Sequence, residues 1–209
     1  MRSENAYYSS DAGVYFSLLA FLFGLLSAND AFAYKLIGSD WKYNPNPMGK
    51  AFEICLTNAP SGAEQAIKDA AKVWEYPKFK FTFKTNACSS GGQFPADNGT
   101  NQIDFGALPV ADAPGATKPF TADTKITECD IRFNPGLNWH TGSGDPPGDR
   151  WDLRSAAVHE LGHCLGLADM PENPFSTDPP VMEKSLAIGQ KRRALTQDDK
   201  NGRAAIYGN

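Results

Sequence analysis

The sequence contains few residues that could bind a transition metal through nitrogen or sulfur. Its 209 residues include three histidines and four cysteines. The cysteines form no Cys-x-x-Cys spacing, which argues against a zinc ion held by four thiolates. A metal site that uses imidazole ligands must therefore draw on the three histidines alone.

Basic stretches and internal divisions are also scarce. Lys and Arg number 20 against 24 Asp and Glu, which gives a net charge of −4. No basic stripe and no interleaving of aromatic with basic residues occurs, so we expect no nucleic-acid partner. No internal repeat or linker divides the chain, and its length suits one ordinary domain with its own core.

One apolar run lies near the amino terminus. Val14 to Leu26 is too short to span a bilayer comfortably, and Ala31-Phe32-Ala33 follows it as an A-x-A cleavage signal. We therefore interpret residues 1–33 as a signal peptide. Residues 34–209 would be a domain secreted to the extracellular space or the periplasm, without a stable membrane anchor after cleavage. Because carboxylates oppose the positive charge ahead of the run, an uncleaved signal anchor is the alternative.

The most informative motif reads H-E-x-x-H-x-x-G-x-x-D and spans residues 159–169. On a helix, His159 and His163 lie on one face about one turn apart, so both imidazoles can bind one zinc ion. Gly166 allows the chain to leave the helix, and Asp169 then returns as the third ligand. Glu160 would lie beside the metal, where its carboxylate can take a proton from a zinc-bound water.

A buried helix with two core histidines and a surface glutamate is the alternative interpretation of this motif. However, Val158, Leu161 and Leu165 already form the apolar stripe of that helix. The two histidines lie on the opposite side, and a second polar face requires a reason. We therefore favour the zinc site.

Export would place the four cysteines in an oxidising compartment, where disulfides form. Of the three pairings that four cysteines allow, we favour Cys55 with Cys88 and Cys129 with Cys164. Cys55 ends one predicted strand, and Cys88 follows the next, which we expect to be its parallel neighbour. Cys129 lies on a strand face that should face the helix carrying Cys164. Free buried thiols are the alternative, chiefly for the second pair.

Alternating and helical patterns predict the remaining elements. Strands are expected at residues 51–56, 78–85, 102–105, 116–121 and 125–133, and helices after residue 61, over 152–165 and near 196–207. Ser61 and Glu64 have the spacing of a capping box for the first helix. Pro119 predicts an edge position for the fourth strand, because proline cannot donate to a hydrogen-bonded ladder.

These motifs and the order of elements resemble the metzincin zinc endopeptidases, most closely the matrixin catalytic domain. In that resemblance Met182 would be the methionine of the turn beneath the zinc, and residues 195–208 are similar to the last matrixin helix. The resemblance implies an α+β fold of the metzincin (zincin) type. It would have a twisted five-stranded mixed sheet, one antiparallel edge strand and three helices.

The third ligand departs from the matrixin pattern. Asp169 stands where matrixins usually have histidine, a feature shared with the snapalysin-like group of secreted bacterial metzincins. Two imidazoles and one carboxylate form an established type of catalytic zinc site. The added negative charge would make the zinc a somewhat weaker Lewis acid.

We expect one catalytic zinc and no second, structural zinc, because His140 is the single histidine left over and more plausibly belongs to a loop or the core. Loop carboxylates such as Asp112 and Asp145 could bind calcium, but their spacing does not support a calcium site. No cysteine-switch motif lies between the expected signal peptide and Tyr34. Latency through a zinc-blocking thiol is therefore not expected.

We therefore expect a secreted, monomeric zinc endopeptidase that uses a zinc-activated water and Glu160 as general base. A protein or peptide substrate would lie extended along the edge strand near residues 116–121. By analogy with matrixins, Asp198 or Asp199 would hold the methionine turn or the amino terminus at Tyr34, and helix capping is the alternative role. The competing function is a catalytically inactive secreted zinc-binding or interaction protein on the same scaffold, which the departure at the third ligand favours.

Overall fold

The computed structural model describes residues 7–8, 34–41, 51–76, 79–89 and 91–208. The apolar run at residues 14–26 and the A-x-A signal at residues 31–33 lie outside the described residues. Within the described ranges, no helix has the length and apolar character needed to cross a membrane.

In chain order the elements are β1 (Tyr7–Tyr8), β2 (Lys35–Leu36), β3 (Ala51–Ile54), α1 (Ala63–Trp74), β4 (Thr82–Thr85), β5 (Asn101–Phe105), β6 (Gly115–Ala122), β7 (Lys125–Phe133), β8 (Trp139–His140), β9 (Trp151–Asp152), α2 (Leu153–Leu165), β10 (Leu167–Ala168) and α3 (Gln197–Tyr207). The main sheet has the order β1-β6-β7-β5-β3-β4. Strands β7, β5, β3 and β4 are parallel, and β6 runs antiparallel to β7. The expected five-stranded mixed sheet with an antiparallel edge strand and three helices is confirmed, and the two-residue β1 pairs with β6 from outside it.

Helices α1 and α2 pack against each other and against the sheet to form the hydrophobic core. Ile67 and Trp74 from α1, Leu161 from α2 and Ile131 from β7 are fully buried. Trp74 Nε1 also donates a hydrogen bond to the carbonyl oxygen of Val158 at 2.8 Å. Because the indole proton is satisfied, a tryptophan can join the two helices inside an apolar core.

Two disulfides connect these elements. Cys55, which follows β3, is bonded to Cys88, which follows β4, and their Cα atoms are 4.9 Å apart. Cys129 in β7 is bonded to Cys164 in α2, with Cα atoms 5.7 Å apart. These are the pairings that the sequence favoured, and no described cysteine is free. The second bond fastens the motif helix to the middle of the sheet.

Two local predictions are wrong. The strand expected at residues 78–85 is shorter, because β4 begins at Thr82 and Phe79 instead forms an isolated bridge with Tyr76. The capping box of the first helix is absent. Gly62 is the residue before α1 and no side chain caps it, whereas Glu64 pairs with Lys68 at 2.7 Å.

The face of the sheet turned away from α2 is polar and buried. The disulfide cysteine of β7 points to α2, so Asp130 and Arg132, at odd spacing from it, point to the other face. Arg132 Nε donates to Asp104 Oδ1 at 2.7 Å. The backbone N–H of Ala96 donates to Asp130 Oδ2 at 2.8 Å. The bond from Ala96 holds the loop at residues 91–100 over the sheet, and the bond from Arg132 to Asp104 joins β7 to β5.

Candidate metal centre

Helix α2 carries the histidine motif and has defined ends. At its start, the Asp152 side chain accepts a hydrogen bond from the Ser155 N–H at 3.0 Å. At its end, Gly166 adopts a left-handed conformation with φ of 107°. A β-carbon at Gly166 would also lie 2.6 Å from the carbonyl oxygen of Ser39. Glycine is therefore required both by the backbone conformation and by the close approach of the amino-terminal segment.

His159 and His163 face each other one helical turn apart, and both are buried. Their Nε2 atoms are 3.1 Å apart. Nδ1 of His159 is 2.9 Å from the carbonyl oxygen of Val181, and Nδ1 of His163 is 2.9 Å from that of Leu167. Because a carbonyl oxygen only accepts, each Nδ1 carries a hydrogen, and in a neutral ring Nε2 then presents a lone pair. Contacts of this kind orient the imidazoles of metal sites.

Asp169 completes the cluster. Its Oδ1 is 3.2 Å from Nε2 of His159 and 3.4 Å from Nε2 of His163. This oxygen is buried and has no hydrogen bond to any described residue. Burial raises the pKa of Asp169, but contact with the imidazoles in their protonated form lowers it more, so the carboxyl group has a pKa well below its ordinary value.

When both rings are neutral, three lone-pair atoms therefore meet at one point, and they would repel one another without a positive charge between them. Two imidazole nitrogens and a carboxylate oxygen are ligands that suit Zn²⁺. Among the described residues, His159, His163 and Asp169 are the one group of three or more that could hold a metal ion. The donor set and the buried, unbonded carboxylate oxygen both fit zinc.

A short strand that no sequence pattern predicted fixes the loop that brings Asp169 to the histidines. In this strand, β10, Leu167 pairs with Leu36 of β2, antiparallel. The N–H of Ile37 also donates to the carbonyl oxygen of Gly166 at 2.9 Å. Two-residue strands carry no detectable alternation, so their pairing could not be read from the sequence.

Glu160 is buried beside the cluster and faces β6. Its Oε2 accepts a hydrogen bond from Thr117 Oγ1 at 2.6 Å. A β-carbon at Gly115 would lie 2.9 Å from its Oε1. The motif identified Glu160, but nothing in the sequence singled out Thr117 or Gly115, because their contact with the helix is a tertiary one.

Met182, the methionine expected for the methionine turn, packs against α2. It is 2% exposed, and a β-carbon at Gly162 would clash with its Sδ. Asp199 in the first turn of α3 accepts hydrogen bonds from the N–H groups of Val181 at 3.1 Å and Met182 at 3.3 Å. Asp199 thus holds the turn whose carbonyl orients His159.

The two acidic residues of α3 have different partners. Asp198 Oδ1 accepts a hydrogen bond from the Tyr34 N–H at 3.0 Å. Its Oδ2 is buried and has no hydrogen bond to a described residue, and burial raises the pKa of Asp198. Asp199 forms a capping box with Thr196 in addition to its contact with the methionine turn. The contacts of this pair are thus divided: Asp199 contacts the methionine turn and caps α3, and Asp198 contacts the backbone of Tyr34.

The remaining candidate residues lie away from the cluster. His140 belongs to β8, and its Nε2 is 3.2 Å from the carbonyl oxygen of Gly144. Asp145 forms an ion pair with Lys191, and Asp112 is exposed. None of these residues belongs to the metal-binding group found in the described ranges.

A cleft opens beside His159 and Glu160, and its walls include Pro114, Val181 and Leu186. Pro114 directly precedes β6, and Val181 belongs to the methionine turn. The cleft therefore lies between the edge strand and that turn, with the glutamate at its side.

Comparison with known proteins gives consistent matches to one family. The family model for matrixin matches residues 57–208. Matrix metalloproteinase-25 of Homo sapiens is 38% identical over 79 residues, which cover 38% of this chain and 13% of that protein. Metalloendoproteinase 2-MMP of Arabidopsis thaliana is 39% identical over 57 residues, which cover 27% of this chain and 14% of that protein. The matches thus span about one-seventh of the length of these relatives.

Among solved structures, high choriolytic enzyme 1, a hatching enzyme zinc-protease from Oryzias latipes (medaka fish), has a TM-score of 0.41 and 13% identity to this chain. That match covers 80% of this chain and 94% of the other, and it is too distant to carry an argument. The matrixin model, in contrast, covers most of the chain and includes the whole motif at residues 159–169 and Met182. The resemblance expected from the sequence is confirmed: the chain belongs to the matrixin family.

Proposed function

We propose that this chain is a zinc-dependent endopeptidase that cleaves protein or peptide substrates. The observation that carries the proposal is the convergence of His159, His163 and Asp169 at one buried point, with the carboxylate of Glu160 beside it. Membership of the matrixin family supports the same class of reaction.

The two histidines would hold the ion through Nε2, and Asp169 would hold it through Oδ1. Bound zinc acts as a Lewis acid that polarises a carbonyl group and makes a water molecule more acidic. Three protein ligands are the number found in catalytic zinc sites, whereas structural sites usually have four. The carbonyl groups of Val181 and Leu167 already orient the imidazoles, so little rearrangement is needed on binding.

Glu160 would move the proton during hydrolysis. Its Oε1 accepts a proton from the attacking water and later delivers a proton to the nitrogen of the leaving amine. The side chain is 2% exposed and follows His159 directly in α2, so it lies within the buried site. A fixed carboxylate in this position avoids the entropic cost of bringing a base to the reacting atoms.

The outer edge of β6 would bind the substrate backbone. Strand β6 pairs with β7 along its inner side, and its described partner on the outer side is the two-residue β1. An edge strand presents backbone N–H and C=O groups that an extended peptide can pair with.

We further propose that residues 1–33 are a signal peptide and that cleavage after Ala33 releases a monomeric, secreted domain. The two disulfides support an oxidising compartment. Cleavage would turn the Tyr34 N–H into an ammonium group with three donors. Asp198, which has one oxygen bonded to Tyr34 and a second without a described partner, is suited to that charge.

A zinc-binding protein without hydrolytic activity is the competing candidate. The observation in its favour is Asp169, whose negative charge lowers the net charge of the site relative to a third imidazole. Both candidates predict bound zinc, but only the enzyme predicts cleavage. Cleavage of a peptide bond therefore distinguishes them.

The test measures zinc content and casein hydrolysis by the purified protein, with and without a chelator. We expect about one zinc per chain, as in other catalytic sites of this ligand number, and cleavage that the chelator abolishes. Glu160→Ala should keep the zinc and lose cleavage, whereas Glu64→Ala on α1 should keep both. Zinc without cleavage in the unsubstituted protein would instead support the non-hydrolytic candidate.

A further inference from the structure

The edge strand contacts Glu160 through the side chain of Thr117. Thr117 lies in β6 opposite Ile131 of β7, and it is 1% exposed. Its hydroxyl oxygen is 2.6 Å from Oε2 of Glu160 and 3.2 Å from the backbone carbonyl oxygen of the same residue. The contact joins residues that are 43 positions apart in the chain.

The direction of this hydrogen bond follows from the groups involved. A hydroxyl has one proton to donate, and the shorter distance shows that it goes to the carboxylate. A hydroxyl that donates to a charged carboxylate oxygen forms a short bond that is stronger than one between neutral groups. Oε2 of Glu160 is therefore engaged, and Oε1 is the oxygen left for the reaction.

Gly115 provides the space on the other side of the same carboxylate. A β-carbon at Gly115 would lie 2.9 Å from Oε1 and 3.2 Å from Cδ of Glu160. Gly115 and Thr117 are two residues apart in a strand, so both face α2. The glycine makes room for the carboxylate and the threonine donates to it.

We propose that Thr117 is a positioning residue that holds Glu160 with Oε1 turned to the substrate. This inference rests on the proposed endopeptidase function. A free glutamate side chain loses rotamer entropy when it is fixed. Thr117 fixes it before the substrate binds, and it does so from the strand that would pair with the substrate backbone. The same strand, β6, therefore positions both the general base and the peptide backbone.

The test compares Thr117→Val, which keeps the shape and removes the hydroxyl, with Thr117→Ser, which keeps the hydroxyl. Thr127→Val is the matched control, because Thr127 lies on β7 and its hydroxyl donates to the carbonyl oxygen of Phe120. Misplacing a reacting group by about 1 Å can cost about 100-fold in rate. We expect Thr117→Val to lower kcat by about 10- to 100-fold at unchanged zinc content, with KM changed less than about threefold.

Thr117→Ser should recover most of kcat, and Thr127→Val should match the unsubstituted protein. The proposal is overturned if Thr117→Val retains full kcat, or if Thr117→Ser is as impaired as Thr117→Val. Should Thr117→Val fail to fold, Gly115→Ala tests the same contact between β6 and the Glu160 carboxylate. An unchanged kcat in that variant also overturns the proposal. Absence of chelator-sensitive cleavage by the unsubstituted protein overturns the proposed function and this inference together.

Discussion

Two carboxylates in this molecule, the buried Asp130 and the half-buried Asp169, have opposite acid–base behaviour. Asp130 lies on the sheet face turned away from α2, where burial raises its pKa to about 7 against the effect of backbone N–H donors. Burial also raises the pKa of Asp169, but the neighbouring imidazoles lower it well below its ordinary value. Peptide N–H groups donate hydrogen bonds to a carboxylate but carry no net charge, whereas protonated imidazoles supply a positive charge.

The two carboxylates also differ in how completely they are bonded. Both oxygens of Asp130 accept hydrogen bonds, from the N–H groups of Ala96 at 2.8 Å and Gln102 at 3.2 Å. Oδ1 of Asp169 is buried without a hydrogen bond to any described residue. The hydrogen bonds of Asp130 are complete, and they connect parts of the fold. Asp169 has unused bonding capacity, which is what a metal site requires before the metal binds.

The largest difference between the surroundings of Asp130 and those of Asp169 should be in zinc affinity when Asp169 is removed. Loss of a residue that only hydrogen-bonds to a metal ligand lowers metal affinity by about 10- to 100-fold. Asp169→Ala removes a proposed direct ligand, so zinc affinity should fall by more than about 100-fold and cleavage should be lost. Asp130→Asn, the matched carboxylate, should keep both per folded molecule. Competition with a coloured chelator measures the affinities, and unchanged affinity in Asp169→Ala would assign the third ligand elsewhere.

The next largest effect should be on stability, from the ion pair between Arg132 and Asp104 on the sheet face turned away from α2. Both side chains are less than 10% exposed. Because removal of one partner leaves a buried charge, Arg132→Met should cost about 3–5 kcal/mol in the free energy of unfolding. The exposed pair of Lys84 with Glu53 is the control, and Lys84→Met should cost at most about 1 kcal/mol. Urea unfolding provides the measurement, and equal costs would contradict the distinction.

Asp130 should also make stability depend on pH. Its pKa is raised from 3.8 to about 7 in the folded protein, so the folded state binds the proton more tightly than the unfolded state. The stabilising contribution is fully present below about pH 3.8 and is lost as the pH rises through about 7. At about 1.4 kcal/mol per pH unit, this rise corresponds to about 4 kcal/mol.

The comparison of unsubstituted protein with Asp130→Asn isolates this contribution, since both keep the zinc ligands. The free energy of unfolding of the unsubstituted protein should fall relative to that of the variant between about pH 4 and pH 7. Two parallel curves would show that Asp130 does not titrate in this range.

Removal of zinc should have the smallest effect on the free energy of unfolding, and this effect should require an intact metal cluster. A ligand at 100 times its dissociation constant stabilises the folded state by about 2.7 kcal/mol. A chelator should therefore lower the unfolding free energy by about this amount in the unsubstituted protein and in Asp130→Asn. Asp169→Ala should respond little. Equal losses in all three proteins would mean that the stabilising ion binds elsewhere.

The sheet and the motif helix could be predicted because their signals are local. Alternation predicted the strands around residues 51–56 and 125–133, and Pro119 indicated the edge strand. The spacing of His159 and His163 predicted that they share a helix face. What could not be predicted are tertiary contacts, such as the pairing of β2 with β10 and the bond from Thr117 to Glu160. No periodic pattern encodes contacts between such distant residues.

Helix capping is a second feature that the sequence pattern alone does not predict reliably. Ser61 and Glu64 have the same spacing as Thr196 and Asp199, yet only the second pair forms a capping box. Gly62 adopts φ of 81° and becomes the residue before α1. The helix therefore starts one residue later than the spacing implies, and Glu64 falls one position short of the place where it could cap.

The short pairing of β2 with β10 bears on where this domain can be cut. The matrixin match begins at residue 57, whereas the strand that braces the Asp169 loop is Lys35–Leu36. A recombinant fragment trimmed to the matched boundary would lose that brace and also Cys55, half of the first disulfide. The contacts that support the metal cluster and α3 therefore reach back some twenty residues before the matched boundary, to Tyr34 and Lys35.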